Sequence, residues 1–174
     1  MALAAEAPGL QSRLDIFFSG VGKINAAMTA TRVIEQHRPQ RIINFGTAGG
    51  ITVQSGLHLV TRFVQRDMQC QEMGVPIGVT PYSSLGQMLF THDQSGLICS
   101  TGDNFVTNPN LAIPADLVDM EAYALARVCH HYGVEFVCYK FVSDSASDSA
   151  AQDWTAQVSA GEQLYQQQLD RLGF

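Results

Sequence analysis

Short apolar runs that each end abruptly in small or acidic residues recur along this chain, and they restrict what it can fold into. LDIFFS leads into GVGK, RIINF into GTAGG, LICS into TGDNFV, and EFVCYKFV into SDSAS. Runs of this length, bounded by turn-forming residues, read as buried strands. Strands are expected at 14–19, 41–45, 57–65, 97–100 and 136–142. Helices are expected at 24–37, where Ala26, Ala27, Ala30, Val33 and Ile34 mark a close-packed face that Pro39 ends, at 119–132, and at 154–172. Strands alternating with helices imply an α/β fold, with a mainly parallel sheet and right-handed crossovers. At 174 residues, one domain spanning 1–174 is expected. The glycine and acidic signals all fall at strand C-terminal ends, the edge where α/β domains bind ligands.

Composition removes several classes. Apolar residues at 46% and charged ones at 15% exclude a disordered chain. A net charge of −6, with scattered lysines and arginines, argues against nucleic acid or an anionic membrane surface as partner. The apolar runs are too short to cross a bilayer, and MALAAEAPGL lacks the basic flank of a signal peptide, so a cytoplasmic location is expected. Cys70, Cys99, Cys129 and Cys138 include no CxxC pair and read as small hydrophobes in a reducing compartment. His130 and His131 have no partner at metal-ligand spacing, nor do His58 and His92 supply one; no metal and no cofactor is expected. The absence of GxSxG disfavours a serine hydrolase. Residues 66–81 form a loop long enough to be functional or to lie at an interface.

Two carboxylates stand out. Glu121, in VDMEAYALARV, lies at the boundary of a helix's buried face, and Asp144 follows a buried strand. Each has an ordinary reading, an exposed helical glutamate and an N-cap. The turn 46–50, with Thr47, Ala48 and Gly49, would let a ligand lie against backbone N–H groups, or be a plain turn. Phe105 is either core or a platform for a planar ring, with Val106 beside it. Gly20 to Lys23 satisfies neither the dinucleotide fingerprint nor the P-loop pattern, although the helix N-terminus behind it can hold an anion or a polarised water.

Taken together and in this order, SGVGKINAA, NFGTAGG, STGDNFV, VDMEAYALA and KFVSDSAS resemble the motif set of the purine nucleosidase and nucleoside phosphorylase family. Within it, the likeness is to the 5'-methylthioadenosine/S-adenosylhomocysteine nucleosidases. The resemblance implies a mixed, largely parallel sheet flanked by helices, usually a homodimer acting on a purine nucleoside in nucleoside catabolism and methionine salvage. By the same resemblance Asp144 protonates or hydrogen-bonds purine N7, helped by Ser143. Glu121 grips the ribose hydroxyls above Met120. Phe105 stacks on the base, and Val106 offers backbone hydrogen bonds. LAAEAPGL resembles the segment carrying the water-activating glutamate, which makes Glu6 the general base. Thr47 and Lys140 line the water or anion pocket, and Trp154 covers the 5' substituent. The family has a full strand before that glutamate and about thirty more residues after it, so a sheet shortened at the N-terminus is expected. Asn44 stands where phosphorylases of the family place an arginine, which favours water over phosphate. The alternatives are a phosphorylase and a non-catalytic nucleoside-binding protein.

Overall fold

The computed structural model describes residues 1–10, 15–91, 96–147 and 150–174. Its helices are α1 (Lys23–His37), α2 (Ala122–Tyr132), α3 (Ala150–Gln157) and α4 (Glu162–Leu172). Its strands are β1 (Arg41–Gly50), β2 (Leu57–Gln65), β3 (Met88–Phe90), β4 (Leu97–Thr101), β5 (Leu117–Asp119) and β6 (Glu135–Asp144). Pro39 disfavours the α conformation at Arg38, which takes φ 47° and closes α1 with an N–H bond to the Ile34 carbonyl. Among the described residues, no helix is long and apolar enough to cross a membrane.

The sheet is mixed and closed into a barrel, which corrects the expectation of a largely parallel one. Strand order is β3-β2-β4-β5-β1-β6, with β2 also pairing β6 to complete the ring. Pairs β1–β6, β2–β4 and β4–β5 are parallel; β1–β5, β2–β3 and β2–β6 are antiparallel. The physical reason lies in the short link from Gly50 to Leu57. A parallel crossover needs a dozen or more residues, so β2 has to run back against the β1–β6 pair. That single reversal makes β5, which follows β2 and β4 in direction, antiparallel to β1.

Four elements differ from the sequence reading. The helix expected at 119–132 begins only at Ala122, after the short strand β5. Residues 15–19 are not a strand, and Leu14 lies outside the described residues. GTAGG is not a turn; β1 runs straight through it, paired with β6 as far as Gly49 opposite Asp144, past a bulge at Ala48/Gly49. Its glycines serve close approach. A Cβ on Gly49 would lie 2.7 Å from Asp144 Oδ1, and one on Gly50 would lie 2.0 Å from the Val53 carbonyl oxygen. The last helix is two, separated by a turn at 158–161, where Gly161 packs against the Phe141 ring with no room for a side chain. Before Glu6, the chain forms only a 3-10 turn at Ala4–Glu6.

Two cores flank the barrel wall. On one side α1 and α2 pack Ala26, Ala30, Ile34, Leu125 and Cys129 against Val60, Phe63 and Phe136. On the other, Tyr165 and Leu169 of α4 meet Phe45, Ala7 and Leu10. Cys99, Cys129 and Cys138 are buried and free.

Candidate active site

The strand ends of β1, β4, β5 and β6 meet at one rim, where a cavity of about 210 Å³ opens. Thr47, Ala48 and Gly49 of β1 line it, with Ser143 and Asp144 of β6, Val118 and Asp119 of β5, and Met120 and Glu121 just beyond. Asn104, Phe105 and Val106 come from the turn after β4, and Trp154 from α3. Ala2, Leu3, Glu6, Val21 and Arg66 complete the lining. Every residue that the sequence singled out for the site is therefore here except Lys140. Asp119, Arg66, Val21, Asn104, Val118, Ala2 and Leu3 were not anticipated.

Glu6 is buried and fixed at both oxygens. Oε2 accepts the Ala2 and Leu3 amides at 3.0 Å each, and Oε1 accepts the Thr47 amide at 2.8 Å and the Thr47 hydroxyl at 3.1 Å. Trp154 Nε1 donates to that same hydroxyl at 2.9 Å, which ties α3 to the strand end. Asp144 closes β6. Its Oδ1 accepts the Ala146 amide and its Oδ2 the Ser143 hydroxyl, both at 3.0 Å. The register shift that leaves Ser143 as the extra residue on β6, and the bare Gly49 opposite, let this carboxylate stand against the β1 backbone.

Glu121 is the N-cap residue of α2 rather than a residue within it. Its Oε1 accepts the Gly22 amide at 2.8 Å, at the N-terminus of α1. The next amide, that of Lys23, donates to Asp103 Oδ1 at 2.8 Å. The anion position of the glycine turn is thus filled by the protein's own carboxylates.

Beneath Glu121, Asp119 gathers four donors: Lys140 Nζ at 2.8 Å, the Thr101 hydroxyl at 2.6 Å, and the Ala122 and Glu121 amides at 2.8 and 3.3 Å. Lys140 is almost fully buried and committed to this ion pair, below the cavity rather than lining it. Burial alone would raise the Asp119 carboxyl, but the ammonium and the hydrogen bonds hold it below its ordinary value. Burial first, and the neighbouring Asp119 charge second, push Glu121 up to about 7. Phe105 is half exposed at the mouth and meets Trp154 edge-on, ring centroids 6.3 Å apart, so it is not part of the core.

An acid-bearing strand end, a carboxylate beside a helix N-terminus and an exposed aromatic pair frame one cavity, a candidate small-molecule site on a closed α/β barrel. Residues 13–173 match the family described as the phosphorylase superfamily, and the chain belongs to it. The 5'-methylthioadenosine/S-adenosylhomocysteine nucleosidase of Bacillus cytotoxicus is 33% identical over 154 residues, covering 74% of this chain and 66% of that protein. The chain thus spans just under two thirds of that relative's length. Among solved structures, the 5'-methylthioadenosine/S-adenosylhomocysteine nucleosidase of Neisseria meningitidis, in complex with methylthio-immucillin-A, superposes with a TM-score of 0.78. It shares 21% identity, over 92% of this chain and 91% of that one. The futalosine hydrolase of Helicobacter pylori strain 26695 gives a TM-score of 0.78 at 23% identity, over 84% and 72%. At these identities the structural likeness is one of fold.

Proposed function

We propose that this chain hydrolyses the N-glycosidic bond of a purine ribonucleoside of the methylthioadenosine/S-adenosylhomocysteine type, releasing the free base. The observation that carries this reading is the convergence of Glu6, Glu121 and Asp144, from three separate elements, on one cavity that Phe105 and Trp154 overhang. Loss of a purine leaves an oxocarbenium-like sugar, so the site has to neutralise the departing base and stabilise positive ribose. Asp144 gives a proton to N7 as the C1'–N9 bond breaks and its electron pair passes to the base. Glu6 takes a proton from the water whose oxygen bonds to C1', held for that task by the Ala2, Leu3 and Thr47 donors. Glu121 grips the ribose hydroxyls above Met120, and Ser143 steadies Asp144. Phe105 stacks on the base, and Val106 offers its backbone to the base edge.

Water rather than phosphate is the nucleophile in this reading. The amides at the α1 N-terminus are occupied by Glu121 and Asp103, and Lys140 is neutralised by Asp119. The relatives named above suggest a 5'-thioether nucleoside. The reading extends to one domain in a cytoplasmic homodimer. Val21, Ile24 and Met28 present apolar surface beside the cavity mouth, with Ile24 and Met28 73% and 67% exposed.

The test is incubation with methylthioadenosine, adenosine and inosine, with and without phosphate, following free base. Base release independent of phosphate is expected. Release only with phosphate, with ribose-1-phosphate formed, would make the protein a phosphorylase. Binding without turnover would make it a nucleoside-binding protein.

A further inference from the structure

Arg66, the residue after β2, has no part in the chemistry above, yet its side chain borders the cavity. Both Nη atoms of its guanidinium are spent on backbone carbonyls, while the buried Nε has no hydrogen-bond partner. Nη1 donates to Ser100 and Asp119, and Nη2 to Gly102 and Asn104, all between 2.5 and 3.0 Å. Its own amide donates to the Thr101 carbonyl at 2.9 Å. Two of the acceptors lie on strands β4 and β5. The other two belong to the turn that carries Phe105 and Val106, and the Asn104 carbonyl immediately precedes Phe105. Next along the chain, Asp67 accepts the Asp103 amide at 2.9 Å, so two consecutive residues hold this turn from one side.

The turn has no regular secondary structure of its own between Thr101 and Leu117. It is held by the Gly102 amide on the Asp119 carbonyl at 3.1 Å, by Val106 packing against Val118 and Ala146, and by such side-chain bonds. A guanidinium can span several carbonyls because its donors form a rigid, planar fork, and charge-assisted bonds of this kind are stronger than neutral ones. Gly102 makes room for it: a Cβ there would lie 2.9 Å from Arg66 Cγ, Nε and Cζ.

We propose that Arg66 is a positioning residue for base recognition, fixing the height of Phe105 and Val106 over the cavity by bridging four carbonyls between the strand ends and the turn. The inference rests on the reading that Phe105 stacks on a purine. It differs from that reading in placing base affinity under the control of a residue that acts through the backbone.

The test compares Arg66→Met, Arg66→Lys and Phe105→Ala with the unaltered protein, measuring adenine affinity by calorimetry and KM and kcat for methylthioadenosine. In Arg66→Met, adenine affinity should weaken and KM rise at least tenfold, while kcat changes less than threefold. Arg66→Lys should fail to rescue, because one ammonium cannot span four carbonyls. Adenine affinity within twofold of normal in Arg66→Met, or a fall in kcat with KM unchanged, would overturn the inference. Should Arg66→Met not fold, Gly102→Ala crowds the guanidinium from the other side. The same KM-selective loss is expected there, and an unchanged KM would overturn the proposal. Absence of adenine binding by the unaltered protein would remove the functional reading and this inference together. Binding that is lost in Phe105→Ala but kept in Arg66→Met would remove only the inference.

Discussion

At the scale of single residues, Asp144 and Glu121 differ in what their surroundings ask of them. Asp144 accepts one bond at each oxygen, at a half-buried strand end open to a ligand. Asp144→Asn keeps the shape and the acceptor for Ala146 but has no proton to give. Turnover should fall by at least about two orders of magnitude with the fold intact; near-normal turnover would sink the assignment. For Glu121, burial and then the Asp119 charge place the carboxyl near 7, above the 4.5 of an ordinary glutamate. Between those values, the folded protein keeps a proton that the unfolded chain releases. Stability is therefore lost as pH rises from about 4.5 to about 7. Glu121→Gln retains an acceptor for Gly22 but cannot ionise. Relative to the unaltered protein it should gain, between pH 4 and pH 8, up to about 3 kcal/mol of stability. Urea unfolding at the two pH values measures this, and a mutant effect independent of pH would contradict it. Both carboxylates stood out in the sequence, Asp144 because it follows an apolar strand and Glu121 because it lies at the boundary of a helix's buried face. Asp119 did not. It sits two residues before Glu121, on a strand of three residues that is too short to show alternation, and VDM reads locally as the start of the helix.

At the scale of elements, Asp119 is the junction of four. It joins β5 to β4 through Thr101, to β6 through Lys140, and to the first turn of α2 through Ala122. A buried charge stripped of its partner is costly, so Lys140→Met should destabilise the protein by about 3–5 kcal/mol. Combining it with Asp119→Asn removes the orphaned charge and should recover much of the loss. Denaturant unfolding of the two single variants and the double variant checks this; strictly additive losses would rule the coupling out. Most element positions were legible from apolar periodicity, including α1 to within a residue and β2 at both ends. GTAGG was not, since glycines at a turn and glycines in a crowded strand look alike locally. The atoms that demand them, on Asp144 and Val118, lie far from Gly49 along the chain. The close packing of Gly161 on the Phe141 ring was hidden for the same reason.

At the scale of the whole molecule, closure of the barrel is the feature that local patterns conceal, because the β2–β6 pairing joins residues some eighty positions apart in sequence. The six-residue link after Gly50 carried the clue, being too short for a helical crossover. The apolar strip of Val21, Ile24 and Met28 bears on assembly. If two copies cover it, sedimentation should give twice 18.9 kDa, and Ile24→Lys with Met28→Lys should shift the protein to monomer. A monomer in the unaltered protein at micromolar concentration would refute the dimer.

The crowding of β1 has a consequence for how this protein would look to a mutational scan scored on activity. Gly50, which touches no reacting atom, would rank with Asp144, because any side chain there meets the Val53 carbonyl and displaces the strand end. Intolerance to substitution along GTAGG would thus trace the geometry of the barrel as much as the chemistry, and only a separate measure of folded protein would tell the two apart.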